Sequence, residues 1–120
     1  MSTPATLSVV GEGRLAISGV LDYARVPRLL KQAASSLEAA SDKAREVVVS
    51  LDGVERSDSA GVAMLVHWQR ELTGRGGRLR LLGMPAQMWA IVEISGLQAI
   101  LALEPSHLEP AGEAEAWKSS

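Results

Sequence analysis

The chain has no cysteine and no phenylalanine among its 120 residues, and aromatic residues make up only 3% of it. Without thiols, disulfides, thiolate catalysis and cysteine-ligated zinc are excluded, and a reducing compartment is the consistent setting. Without phenylalanine, the core must be filled by aliphatic side chains, which the 47% hydrophobic content can supply. No stretch approaches the ~20 apolar residues of a membrane span. The leading MSTPATLSVVGEG has neither a basic n-region nor an apolar h-region, so the expectation is a cytoplasmic chain without a signal peptide. Charge of one sign is lacking too: 12 basic against 14 acidic residues leave a net charge of −2. Nucleic-acid binding needs clustered Lys and Arg. The nearest approach to a cluster, Arg70, Arg75, Arg78 and Arg80, reads as a solvated helix end and strand.

The motifs of the common catalytic sites are missing as well. There is no Gly-x-Ser-x-Gly elbow, no phosphate-cradling loop ending in Lys-Ser/Thr and no His-Glu-x-x-His. The chain has two histidines. His67 falls eight residues beyond Ser59 on one helix, ~12 Å along its axis, too far to activate that hydroxyl. His107 lies near the carboxyl end. A lone histidine is no metal site, and Asp52, Glu55 and Asp58 read as turn and cap residues. No catalysis, metal or cofactor is expected.

What is present is an alternation of strand and helix signals over a length suited to one domain. Leu7–Val10 and Arg14–Ser18, joined across Gly11-Glu12-Gly13, read as a hairpin. Leu29, Leu30, Ala33, Ala34 and Leu37 recur at helical spacing, in a helix that begins between Tyr23 and Pro27 with Asp22 as a cap and ends near Ala40. The β-branched run Val47-Val48-Val49 suits a parallel strand buried on both faces and ending at Leu51. Asp52–Ser57 reads as a polar loop. A second helix runs from Ser59 to Thr73 and stops at Gly74, Gly76 and Gly77. Leu79–Leu82 is a strand, and Pro85 the first residue of a third helix whose buried face is Met88, Ile91, Val92 and Ser95. Residues 1–103 form the domain. Residues 104–120, with two prolines and four glutamates, read as a loosely ordered tail. The fold class is α/β, with the long crossovers making the later strands parallel and the hairpin making the sheet mixed.

The segment Val47–Gly61, VVVSLDGVERSDSAG, carries the functional interest. Asp58 and Ser59 are both N-cap residue types, and the helix after them is long and apolar-rich. Ser59 thus sits where unpaired backbone N–H groups favour added negative charge or a partner's acceptors. It has three readings: a helix cap, a phosphorylation site, and a permanent interface residue. The second helix argues separately for a partner. Val62, Leu65, Val66 and Leu72 make a core arc, yet Ala60, Ala63, Met64 and His67 fall outside it with little charge. Trp68 sits at the edge of that arc.

The same residues resemble a known family. Asp58-Ser59-Ala60-Gly61 after a hydrophobic strand, Ile17-Ser18-Gly19-Val20-Leu21-Asp22, the glycine-led Gly77–Gly83 and the closing segment Pro85–Leu101 are together similar to the STAS domain, shared by sulfate transporters and anti-sigma factor antagonists. The resemblance implies a mixed sheet of about four to five strands with helices packed against it. Asp58–Trp68 and Met84-Pro85 resemble most the family's MlaB group, small cytoplasmic subunits of the Mla phospholipid-transport ABC complex of Gram-negative bacteria. That likeness implies a non-catalytic subunit that binds and stabilises or regulates the transporter's MlaF-like ATPase, within a complex containing a permease and a substrate-binding subunit. Membrane contact would come only through that complex, on the cytoplasmic side of the inner membrane. The implied partner-binding residues are Ser57, Asp58, Ser59, Ala60, Gly61, Ala63, Met64 and His67. The alternative is an anti-sigma factor antagonist controlled by phosphorylation of Ser59.

Overall fold

The computed structural model describes residues 4–101. Seven elements follow in the order β1 (Thr6–Gly11), β2 (Arg14–Leu21), α1 (Val26–Lys43), β3 (Glu46–Ser57), α2 (Ser59–Gly74), β4 (Arg78–Leu82) and α3 (Ala86–Ser95). The strands form one four-stranded sheet in sequence order. β1 and β2 are antiparallel, as the two-residue turn between them dictates, while β2–β3 and β3–β4 are parallel across helical crossovers. The expected mixed α/β sheet is therefore what forms.

The core lies on one face of this sheet. Val47, Val49 and Leu51 of β3 are fully buried and share a hydrophobic cluster with Leu29, Ala33 and Leu37 of α1, Leu65 and Leu72 of α2, and Met88 and Val92 of α3. Val48 is only half-buried, so β3 is not enclosed on both faces as its valine run suggests. Alternation puts Val48 on the side of Glu46, and that side is charged: Glu46 pairs with Arg78 and Arg80 of the neighbouring strand. Trp68, 2% exposed, is the largest side chain in the core.

β3 extends well beyond Leu51. What reads as a polar loop, Asp52–Ser57, continues the strand. Along β2 the partners advance from Ala16↔Ser50 to Ser18↔Gly53, and from Gly19↔Val54 to Val20↔Arg56. Each step spends one extra residue on β3, so the strand carries two bulges that break its period-two pattern. The first falls at Gly53, where a Cβ would stand 2.7 Å from the Ser18 Cβ. Between exposed Glu55 and Arg56 on one side and Asp52 and Gly53 on the other, Val54 returns to the core at 6% exposure.

The helices begin and end close to their expected positions. Pro27 lies in the first turn of α1. Asp22 caps the turn ahead of that helix rather than the helix itself, its Oδ1 accepting from the Arg25 N–H at 3.0 Å. Pro85 is the N-cap of α3, not its first residue. Of the expected buried face of α3, Met88 and Val92 are enclosed, Ile91 is half-buried and Ser95 is exposed. Gly96, at φ 68°, closes α3 with the Gly96 N–H on the Glu93 carbonyl and the Leu97 N–H on that of Val92. Leu101 then returns to the core at 1% exposure. The expected boundary at residue 103 and the tail lie outside the described residues.

Two glutamines hold helices to strands through backbone groups. Gln69 of α2, 7% exposed, receives the Leu79 N–H at 2.8 Å and donates to the Leu79 carbonyl at 3.3 Å. Gln87 of α3 receives the Ser57 N–H at 2.8 Å and donates to the Ser57 carbonyl. Each side-chain amide thus satisfies one residue's donor and acceptor together.

Two outcomes follow. Amide hydrogen exchange at Val47–Leu51 is expected only near the global unfolding free energy, and paired amides of Gly53–Ser57 should be protected as well; unprotected exchange across 53–57 would contradict the long strand. Leu101→Ala should cost about 2–5 kcal/mol in denaturant unfolding, against less than ~0.5 kcal/mol for an exposed control such as Ala90→Ser.

Candidate functional site

The junction from β3 to α2 is built by Asp58. Its backbone is extended and its N–H donates to the Leu21 carbonyl at 2.9 Å, which continues the β2–β3 pairing. Its carboxylate serves two helix approaches at once: Oδ1 accepts from the Ala60 N–H at 2.7 Å, and Oδ2 from the Tyr23 N–H at 3.1 Å. Asp58 is therefore the N-cap of α2. Ser59 is not the cap; it stands exposed on the first turn, which removes the structural role from its three readings.

Several residues expected at a partner surface are enclosed instead. Ser57 is 4% exposed, and its hydroxyl donates to the Asp58 carbonyl at 2.9 Å. Gly61 is buried because α2 starts hard against the strand ends. A Cβ there would stand 2.1 Å from the Ser57 Oγ and 2.9 Å from the Leu21 Cβ, closer than real Cβ atoms come, so a glycine is required by contact rather than by φ. Met64, expected on the outward side, is 2% exposed and belongs to the core cluster. With Gly61, Val62, Met64, Leu65, Trp68, Gln69 and Leu72 all buried, the core arc of α2 is wider than a single buried stripe.

What remains outward is narrower and better defined. Ser59, Ala63 and His67, spaced by four, lie exposed along one face of α2. Ala60 and Val66 flank that row half-buried. His67 pairs with Glu71 at 3.3 Å one turn on. Beside Ser59 opens a concavity of about 660 Å³, lined by Val20, Asp22, Tyr23, Arg56, Gln87 and Ile91 together with Ser57–Ser59. Tyr23 is 78% exposed. Tyr23, Gln87 and Ile91 are parts of this site that sequence reasoning missed. Tyr23 was legible only as a helix start, and no local signal announces that α3 would reach the end of β3. Among the described residues no group of His, Asp and Glu could hold a metal ion. The surface mixes apolar and neutral polar groups with Asp22, Arg56 and Asp58 at a helix start, a composition suited to contact with another macromolecule.

Comparison with known proteins agrees with this fold. A family model described as "Mlab, STAS domain" matches residues 6–104. Curated protein sequences give no match. Among solved structures, the chain is similar to the phosphorylated form of the Bacillus cell fate determinant SpoIIAA, with a TM-score of 0.66 and 20% identity over 97% of this chain and 99% of that one. It is similar to an anti-sigma factor antagonist from Mycobacterium paratuberculosis, with a TM-score of 0.68 and 18% identity over 100% and 96%. It is also similar to part of the murine anion transporter Slc26a9, with a TM-score of 0.66 and 14% identity over 91% of this chain and 18% of that one. At these identities the likeness is one of fold. The family model spans every strand and helix from Thr6 onward and includes the Asp58-capped start of α2. The chain belongs to the STAS family, in its Mlab group.

Proposed function

We propose that this STAS domain is a non-catalytic subunit that binds and stabilises or regulates the ATPase of an ABC-type phospholipid transporter. The observation that carries this reading is the exposed row Ser59, Ala63 and His67 on a helix whose cap is supplied by Asp58. From Ser59 to Gln69 this helix carries no Asp, Glu, Lys or Arg, and a face so composed is poorly suited to water and well suited to a partner. Tyr23 extends it with the kind of exposed aromatic that dominates interface energetics. The family match supports the identity of the partner, since the Mlab group takes its name from a subunit of the Mla lipid-transport complex. No described helix is long and apolar enough to cross a membrane, so membrane association would come through the ATPase and its permease, on the cytoplasmic side.

A switch reading has one specific observation in its favour. Because Asp58 holds the cap, a phosphate on the exposed Ser59 would leave the helix start intact, and it would add about −1.5 to −2 charges beside a surface a partner must cover. Under that reading the domain is an anti-sigma factor antagonist.

Co-expression of the tagged chain with the ABC ATPase and permease of its source organism tests the first reading. The ATPase is expected to copurify. Ser59→Glu should fold normally, because acidic groups favour helix N-termini, and should lose the complex, because an unpaired carboxylate is costly to bury at an interface. Ser59→Ala should retain it, and Tyr23→Ala should weaken it by roughly tenfold or more. Intact mass of protein from growing cells should show no added phosphate; a substantial phosphorylated fraction bound to a serine kinase would replace the first reading with the second.

Asp58→Ala reports on architecture instead. It should cost about 1–2 kcal/mol in the isolated domain, since both Ala60 and Tyr23 lose an acceptor. Unchanged stability would show that neither hydrogen bond matters to the fold.

A further inference from the structure

The far edge of the sheet is unfinished. β1 is an edge strand, and Val9 and Leu15 are direct partners across the β1–β2 pair, so both face the helix side. Leu15 is fully buried, whereas Val9 is 64% exposed. Beside Val9 lies an open groove of about 560 Å³ between β1 and α1, and the helix side of it is made of Ser35, Ser36, Ala39 and Ala40, with Lys43 at one end. Among the described residues, the core side of β1 thus ends in exposed apolar surface next to a helix flank made mostly of small residues.

Edge strands are normally protected by charge, proline or an early bulge. Thr6–Val10, TLSVV, carries neither charge nor proline, and the register of its pairing with β2 is unbroken as far as Val9. We infer that this edge pairs with the β1 edge of a second copy of this chain, antiparallel about a two-fold axis at Ser8. In that register Ser8 faces its own copy, Leu7 faces the partner's Val9, and Thr6 faces the partner's Val10. Apolar residues meet on the core side, and no charge is set against itself. An uncharged strand that is its own complement favours self-pairing over a charged partner. The small residues on α1 let the second copy's α1 approach over the joined sheet. Nothing in this groove belongs to the Ser59 concavity, so the dimer leaves the proposed ATPase surface free. Five residues a side give less than the ~800 Å² per partner of a standard interface, so association should be in the micromolar range.

Sedimentation equilibrium of the full chain across ~5 µM to ~1 mM should show the 12.7 kDa mass rising toward twice that value. Val9→Lys should weaken association at least tenfold with an unchanged melting temperature, and Tyr23→Ala should leave it unchanged. Because the chain has no cysteine, Ser8→Cys gives a direct geometric readout. Across an antiparallel pair the two Cα atoms stand about 4.5–5.5 Å apart, within disulfide range, so oxidised glutathione should produce a covalent dimer. Thr73→Cys, exposed on α2, should not form one. A monomer throughout the range overturns the inference. So does a dimer sensitive to Tyr23→Ala but not to Val9→Lys, or one that Ser8→Cys does not cross-link. Protection of β1 amides in a monomer, lost on removing residues 102–120, would assign the edge to the chain's own carboxyl-terminal segment and overturn it equally.

Discussion

All three described helices are registered on two consecutive residues, Ser57 and Asp58. The carboxylate of Asp58 fixes the start of α2 through Ala60 and the approach to α1 through Tyr23, while its N–H closes the β2–β3 pairing on Leu21. One residue earlier, both backbone groups of Ser57 are taken up by Gln87 of α3. Gly61 completes the junction by letting α2 lie against the ends of the strands. The outward groups, Ser59 and Tyr23, are therefore placed relative to one another by a short run of hydrogen bonds from the Asp58 carboxylate and the Gln87 amide to backbone groups. They do not depend on a flexible loop, and that rigidity would lower the ordering cost of any contact made there.

The sequence was most readable where a pattern had time to repeat. α1 follows Leu29, Ala33 and Leu37; α2 begins at Ser59 as the capping residues require; Gly96 ends α3. The fold family was legible through several short segments in a fixed order. The second half of β3 was hidden because two bulges shift its alternation, and Asp52, Gly53 and Glu55 then resemble a loop. Burial on both faces of β3 was misjudged for a related reason: three consecutive valines do not disclose that the opposite face is an ion-paired surface of Glu46, Arg78 and Arg80.

The candidate site divides along the same line. Local chemistry identified Asp58 and Ser59, and helical spacing identified Ala63 and His67. It could not separate residues that stay exposed from residues that shape the surface from beneath. Ser57, Gly61 and Met64 are of the second kind, and their enclosure follows from tertiary contacts with Leu21, Gln87 and the α3 layer. Tyr23 and Ile91 join the site only because strands distant in sequence end side by side.

The two glutamine ties have a consequence for how this domain responds to its surroundings. Gln69 on Leu79 and Gln87 on Ser57 join helix to strand through uncharged amides. Amides neither gain nor lose protons over the physiological range, and ions in solution screen them little. The geometry that holds α2 on β4 and α3 on β3 is thus indifferent to acidity and ionic strength. A cell that alters either one acts on charged groups, the Asp58 carboxylate among them, and leaves these two ties in place.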